Sequence, residues 1–308
     1  MGLENPQRIS VIDPIGQAIE HVRLMLFRPF DLSKWFIIGF CAWLAQLGQG
    51  GGGGGGNGWR TDGHESSFHA IKDSILAHLA VIIFVAAIVI PIIIIIAVVL
   101  CWLRSRGQFM FVHCVAGNKA EVAVPWNKFA RHGNSLFLFR IVIGLIFLLV
   151  IGLPVAVAVF AGIAIGATGF NPATIIGLTG AIFVAVVVFV LFALVAKFTT
   201  DFVVPIMSLH TESCVAGWKQ CLALISGNKA QIALYILFQI VISLAIGFIA
   251  MTVCLVTCCC CCCLLVLFVL PYVGTVILLP LIAFKRAYSL FYLRQFGAQF
   301  DVFSVQPA

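Results

Sequence analysis

The residues with the greatest chemical potential in this chain are its 12 cysteines, of which Cys258 to Cys263 are consecutive. Structural zinc sites use paired Cys-x2–4-Cys knuckles whose ligands converge on one point. Successive residues of a helix instead point about 100° apart. On a helix Cys254, Cys258 and Cys262 would share one face, and Cys259 and Cys263 another, so a thiolate cluster would require a non-helical loop. The run therefore reads as small apolar packing residues, ahead of a disulfide in an oxidising compartment or a metal site. His64, His69 and His78 are dispersed, with no HExxH pattern or cysteine knuckle beside them. The glycine tract Gly50 to Gly56 lacks a following Gly-Lys-Ser/Thr and a preceding strand, so it reads as a flexible linker and not as a phosphate loop. No metal and no cofactor is expected.

Ionisable residues at the edges of apolar stretches carry more weight, because an unpaired charge at the centre of a bilayer costs on the order of 3 kcal/mol. Arg104, Arg106, Arg140, Lys197 and Asp201 form the candidate polar cluster. Asp201 lies four residues after Lys197 and is expected to pair with it or with one of the three arginines, as a structural clasp rather than a substrate-binding or proton-relay site. Gln239, Thr252 and Thr257 are expected to make hydrogen bonds between helices. Pro91, Pro154, Pro271 and Pro280 fall inside predicted spans, where simple kinks are favoured over the broken helices of transporter sites. There is no GxSxG, HExxH, Walker motif or pair of intramembrane aspartates, so the chain is not expected to be an enzyme. Its basic residues are spread as flanks of apolar stretches, which excludes a nucleic-acid interface.

The elements that would hold these residues follow from composition. The 308 residues are 62% hydrophobic and only 9% charged, with a mean hydropathy of +1.15, whereas soluble domains carry roughly 25% charge. Crossing about 30 Å of hydrocarbon takes about 20 helical residues. The stretch 75–103 satisfies this, and no charge occurs between Arg140 and Lys197 or between Lys229 and Lys285. The latter two stretches are each predicted as a hairpin, with spans at 141–165 and 174–196, then 231–256 and 264–284. The first turn falls at Gly166 to Pro172 and the second near the cysteine run. A shorter apolar run at 35–47 would complete a first hairpin.

The expected fold is therefore an all-α transmembrane bundle of six spans in three hairpins. Segment 1–34 leads into a first hairpin at 35–103 with a glycine-rich loop at 48–74. Segment 104–135 precedes the hairpin 136–197, segment 198–230 precedes the hairpin 231–284, and 285–308 is a tail. Of the 18 basic residues all but Arg60 and Lys72 fall on one side of this topology. By the positive-inside rule that side, with both termini, is cytoplasmic. The first residues lack the apolar region and cleavage site of a signal peptide.

The segments between hairpins contain a repeat. His113-Cys114-Val115-Ala116-Gly117 is echoed by Cys214-Val215-Ala216-Gly217 after His210, and Trp126 with Gly133-Asn134 by Trp218 with Gly227-Asn228. This suggests a reused unit of an amphipathic cytoplasmic helix followed by a hairpin. Cys214, Val215, Trp218, Cys221, Leu222 and Ile225 have helical spacing, as do Ile15, Ala18, Ile19, Val22 and Met25 after Asp13-Pro14. Such helices either lie in the headgroup layer or pack on the ends of the bundle. Lys128, Arg131 and Lys219 are the candidate contacts to anionic lipid headgroups.

The segments Ser105 to Phe111, Pro125-Trp126, Gly133 to Arg140, Leu270 to Val276, Gln295 to Gly297 and Asp301 to Phe303 resemble an uncharacterised family of prokaryotic six-span membrane proteins. The plan of hairpins and interfacial helices more distantly resembles the membrane domain that accompanies some glycerophosphodiester phosphodiesterases. The resemblance implies the architecture and a place in a prokaryotic cytoplasmic membrane, and it transfers no catalytic residue. The function expected is that of a non-catalytic membrane component that engages lipids or partner proteins. A small-molecule or lipid transporter is the alternative, weakened because successive two-span units would share one orientation rather than being inverted.

Overall fold

The computed structural model describes residues 9–48, 79–168, 171–210, 213–260 and 271–304. The glycine tract, His64, His69, His78 and Cys261 to Cys263 lie outside the described residues, as do Arg60 and Lys72. All regular structure among the described residues is helical.

Helix α1, Asp13–Phe27, starts where Pro14 occupies the first turn and the Ser10 hydroxyl accepts from the Ile12 and Asp13 amides. It buries Pro14, Ala18, Val22, Met25 and Leu26. The stripe is close to the expected one, except that Leu26 is enclosed and Ile19 stays 55% exposed. Helix α2, Leu32–Gln46, is capped by Asp31, which accepts from the Ser33 amide at 2.9 Å. Helix α3, Leu79–Gly117, carries Pro91 inside it. It ends at Asn118, whose φ of 51° is the left-handed conformation that stops a helix. Short α4, Ala123–Lys128, leads into α5, Ala130–Thr168, and α6, Pro172–Phe198. A π-turn at Thr199–Val203 joins α6 to α7, Val204–His210. Helix α8, Cys214–Gly227, starts at a Ser213 cap and is followed by α9, Lys229–Cys260, then α10, Pro271–Ile277, and α11, Leu279–Arg294. A 3-10 turn at Ala298–Phe300 closes the described chain.

Four helices are long and apolar enough to cross a membrane: Ile83–Gly117, Ala130–Ile165, Pro172–His210 and Lys229–Val253. The six expected spans are thus four among the described residues. The run at 35–47 belongs to α2, whose 15 residues reach only about 22 Å at about 1.5 Å each, short of the bilayer core. The expected span 264–284 lies partly outside the described residues. Its described part is divided at Leu278 between α10 and α11, so Pro280 sits in the first turn of α11 instead of kinking a span. Helices α5 and α6 pack against each other, with Phe147 and Phe192 rings 4.9 Å apart.

Two regions of different character result. Over Ile83–Val99, Val142–Ile163, Ile175–Leu191 and Leu244–Val256 the helices expose Ile, Val, Leu and Phe on nearly every side and form apolar stems. No charged residue lies in 79–103, 141–168, 172–196 or 240–260. An apolar helix with no polar face suits lipid and not water. The other ends of the same helices, with α1, α2, α7, α8 and α11, enclose a packed base built on Met25, Ile38, Phe109, Met110, Phe202, Ile206, Tyr288 and Tyr292.

Segment 104–135, expected either in the headgroup layer or packed on the end of the bundle, has its 107–116 part buried in the base core. The run from Phe109 to Ala116 contains no helix breaker, so α3 simply continues and buries it. Helix α2 packs alongside, with Lys34 Nζ donating to Asn118 Oδ1 at 2.8 Å and the Cys41 and Cys114 sulfurs 3.7 Å apart. This approach depends on Gly107, where an added Cβ would meet Leu44 carbon atoms at 2.6 Å. The repeat motif occupies unlike positions, since His113 to Gly117 end α3 whereas Cys214 to Gly217 begin α8.

Candidate functional site

Where the stems enter the base, five helices contribute polar side chains to one layer. Its geometry starts with Pro205. Proline has no N–H, so neither the α-type bond to Asp201 O nor the π-type bond to Thr200 O can form there. The chain adopts a π-turn in which the Val204 amide donates to Thr199 O, and the Thr200 carbonyl is left for another donor. Arg286 on α11 supplies it, through Nη1 at 2.5 Å.

The turn also aims Asp201 inward. Lys197 Nζ lies 2.7 Å from Asp201 Oδ2, and the Tyr235 hydroxyl from α9 donates to the same oxygen at 3.0 Å. Gln239 Nε2 donates to Tyr235 Oη at 2.8 Å. Tyr235 is enclosed by a ladder of rings, with Tyr292 4.5 Å away and Tyr288 6.0 Å away, both stacked. The hydroxyls of Tyr288 and Tyr292 reach the carbonyls of Val11 and Gln231, which fixes α11 against α1 and α9.

The arginines of the expected cluster divide. Arg140 donates through Nη2 to Gln108 Oε1 at 2.6 Å and through Nη1 to Ser105 Oγ at 3.2 Å. Gln108 Nε2 in turn reaches Thr200 Oγ1 at 3.4 Å, which links Arg140 to the π-turn without contact with Asp201. Arg106 is drawn off to another place. Its guanidinium lies 4.4 Å from the Trp102 ring centre and 5.0 Å from that of Trp126, and it shares Asn134 Oδ1 with Trp102 Nε1. The Nε of Arg104 is buried without a hydrogen-bond partner among the described residues. Asp201 therefore pairs with Lys197 alone among the four expected partners.

Tyr235, Lys285 and Arg286 belong to the layer and were not singled out from sequence. Pro205, four residues beyond Asp201, was the available signal for the turn. Arg286 is only 6% exposed. Burial lowers its pKa to about 10, against a partial restoring effect of Asp201, so it stays charged at neutral pH. Lys285 is lowered as well, by burial first and then by Lys197, with Asp201 opposing.

A cavity of about 510 Å³ opens at this layer. Gln46, Gln108, Lys197, Thr200, Asp201, Lys285 and Arg286 are its polar lining. A second cavity of about 420 Å³ in the base, between His210, Asn228 and Phe300, has no Lys, Arg, Asp or Glu among the described residues of its wall.

A model for a family of unknown function (DUF7544) matches residues 9–271. The chain belongs to that family. The DUF7544 match includes Gln108, Arg140, Lys197, Thr200, Asp201 and Tyr235, and it stops at the first residue of α10, before Lys285 and Arg286. No curated protein and no solved structure matches the chain.

Lys128, Arg131 and Lys219 are exposed and lie outside the polar layer. Lys128 and Lys219 have exposed apolar neighbours one turn away on their own helices. Val124, one turn before Lys128, is 57% exposed, and Val215 and Leu222, flanking Lys219 on α8, are 59% and 55% exposed. Helix α8 is thus rotated from the expected setting: it buries Cys214, Gly217, Cys221 and Leu224 and leaves Val215 and Leu222 outward.

Proposed function

We propose that the chain is a non-catalytic integral membrane protein whose base lies on the cytoplasmic face of a prokaryotic membrane and engages anionic lipid. The observation that carries this reading is the pairing of exposed basic and apolar side chains, Val124 with Lys128, and Val215 and Leu222 with Lys219, with Arg131 exposed nearby in the chain. A surface of that composition suits the headgroup layer, where apolar side chains insert and basic ones meet phosphate. The orientation is supported by charge: every described Lys and Arg lies in the base and none in the stems. Transport is the less favoured reading, because no charged group lies along the described stems. A partner protein docking on the same faces remains compatible with this role in the membrane.

The reading is tested in reconstituted vesicles by quenching of tryptophan fluorescence with brominated lipid, since Trp126 and Trp218 neighbour the basic positions. Each basic residue near an anionic surface contributes on the order of 1 kcal/mol. The triple variant K128Q/R131Q/K219Q is expected to lose most of the preference for brominated phosphatidylglycerol over brominated phosphatidylcholine, as added salt does for the natural chain. An unaltered preference in the variant would refute the proposal.

A further inference from the structure

The cavity at the junction of stems and base contains more positive charge than its own structure uses. Three cations, Lys197, Lys285 and Arg286, line it against the single carboxylate of Asp201. Lys197 is the one that Asp201 pairs with directly. Arg286 spends only Nη1 on the Thr200 carbonyl, while its Nε and Nη2 are buried with no hydrogen-bond partner among the described residues. Two buried guanidinium donors left open are costly, and buried polar groups are nearly always satisfied in folded proteins. Thr200, Gln108 and Gln46 complete the wall with neutral polar groups. A guanidinium fork with an ammonium beside it is the donor set that takes an oxyanion in two-point contact.

The opposite wall has another chemistry. Ala193 and Ala196 of α6, Ile246 of α9 and Leu281 and Ile282 of α11 make it apolar. Further along the stems Val190 and Leu191 of α6 and Phe248 of α9 are already exposed. The cavity is thus cationic at the base end and runs into a lipid-facing surface at the stem end. Its volume falls in the roughly 300–1,000 Å³ range of ligand pockets. A ligand that satisfies both walls has an anionic head and an apolar tail.

We infer that this cavity is a specific site for an oxyanion headgroup, the phosphate of an anionic phospholipid, held by Arg286 and Lys285 with its acyl chain leaving between α6 and α9. The site goes beyond the general contact of the base with lipid proposed above, and it shares no residue with Lys128, Arg131 or Lys219. A free phosphate ion presents the same oxygens, so the test separates the two sources.

The full chain is purified in an uncharged detergent and titrated in three arms with dioctanoyl phosphatidylglycerol, dioctanoyl phosphatidylcholine and inorganic phosphate. Thermal unfolding and native mass spectrometry are the readouts. Phosphatidylglycerol is expected to raise the melting temperature and to be retained at one molecule per chain, with phosphatidylcholine and phosphate much weaker. Lys285→Gln, at a half-buried position, is expected to weaken phosphatidylglycerol about tenfold, the scale of one charge-assisted contact. Arg286→Lys, which keeps the charge and loses the fork, is expected to weaken it similarly. K128Q/R131Q/K219Q should leave this single-molecule binding intact, so failure here and failure of the surface reading are distinguishable. Equal affinity in the natural chain and in the folded Lys285→Gln variant overturns the site. Stabilisation by inorganic phosphate without stabilisation by lipid overturns the assignment to a headgroup.

Discussion

A guanidinium that leaves water loses its hydration, and the surroundings of Arg286 show how that loss is partly offset. One donor meets the Thr200 carbonyl, which Pro205 leaves without a backbone partner, and Asp201 lies near enough to restore some of the lost charge stabilisation. The native pKa of about 10 lies below the ordinary arginine value, so the native state binds this proton less tightly than the unfolded chain. This group opposes folding while it is charged in both states, and its contribution to stability improves as pH rises through about 10. An anion bound beside it reverses the preference, because only the charged form attracts the anion. Lipid-induced stabilisation is therefore expected to be level from about pH 6 to about pH 8 and to decline above about pH 10, with Lys285, Lys197 and Asp201 as the other ionisable groups lining the cavity. Melting curves with and without dioctanoyl phosphatidylglycerol across that range check it, and a decline near neutral pH would contradict the assignment. At this scale the i, i+4 spacing of Lys197 and Asp201 was legible in the sequence, because it needs only a helical turn. The roles of Tyr235 and Arg286 were not, since their partners come from helices more than 30 residues away in the chain.

Helices differ in how much of themselves they announce. Proline and apolar spacing marked α1 almost to the residue, and Asn171-Pro172 marked the start of α6. The limits of α8 were equally readable, but not its rotation. Val215 and Leu222 fit the same apolar arc as Cys221, and only the approach of α7 to Gly217 decides which half of the arc is buried. The packing of α2 on α3 illustrates a close contact invisible to hydropathy. A methyl at Gly107 would lie 2.6 Å from Leu44 and 2.8 Å from the Ala45 amide nitrogen, so Gly107→Ala must push two backbones apart. It is expected to cost about 1–3 kcal/mol. Gly144→Ala in the α5 stem meets nothing within 4 Å and is expected to be neutral or stabilising by up to about 1 kcal/mol. Thermal unfolding of the two variants in one detergent decides the matter; equal effects would mean that α2 does not pack as described.

For the molecule as a whole, charge scarcity pointed to a membrane protein, a reading that suits the four long apolar helices, and the described charges collect at one end. The span count was harder to read, because hydropathy registers that a run is apolar and not whether lipid or protein surrounds it. Helix α2 and the 109–116 part of α3 are largely apolar for the second reason: they lie in the core of the base. With both described ends of the chain in the base, tags placed at residue 9 and residue 304 are expected on the same face of the membrane. Protease protection in vesicles of known orientation checks this, and digestion of one tag with protection of the other would contradict it.

The base is closed by its two extremes. Ser10 and Gln295 exchange hydrogen bonds of 2.7 and 2.9 Å across 285 residues, Tyr288 holds the Val11 carbonyl, and His21 lies edge-on to Phe291 and Phe303. Helix α1 is the first part of the described chain to leave the ribosome, and α11, which covers it, is among the last. During synthesis its apolar stripe of Ala18, Val22 and Met25 must wait through the insertion of every stem before its cover exists. Assembly thus ends with a step of long contact order that no earlier portion of the chain can complete, and a chain halted before α11 would present that stripe to chaperones and proteases.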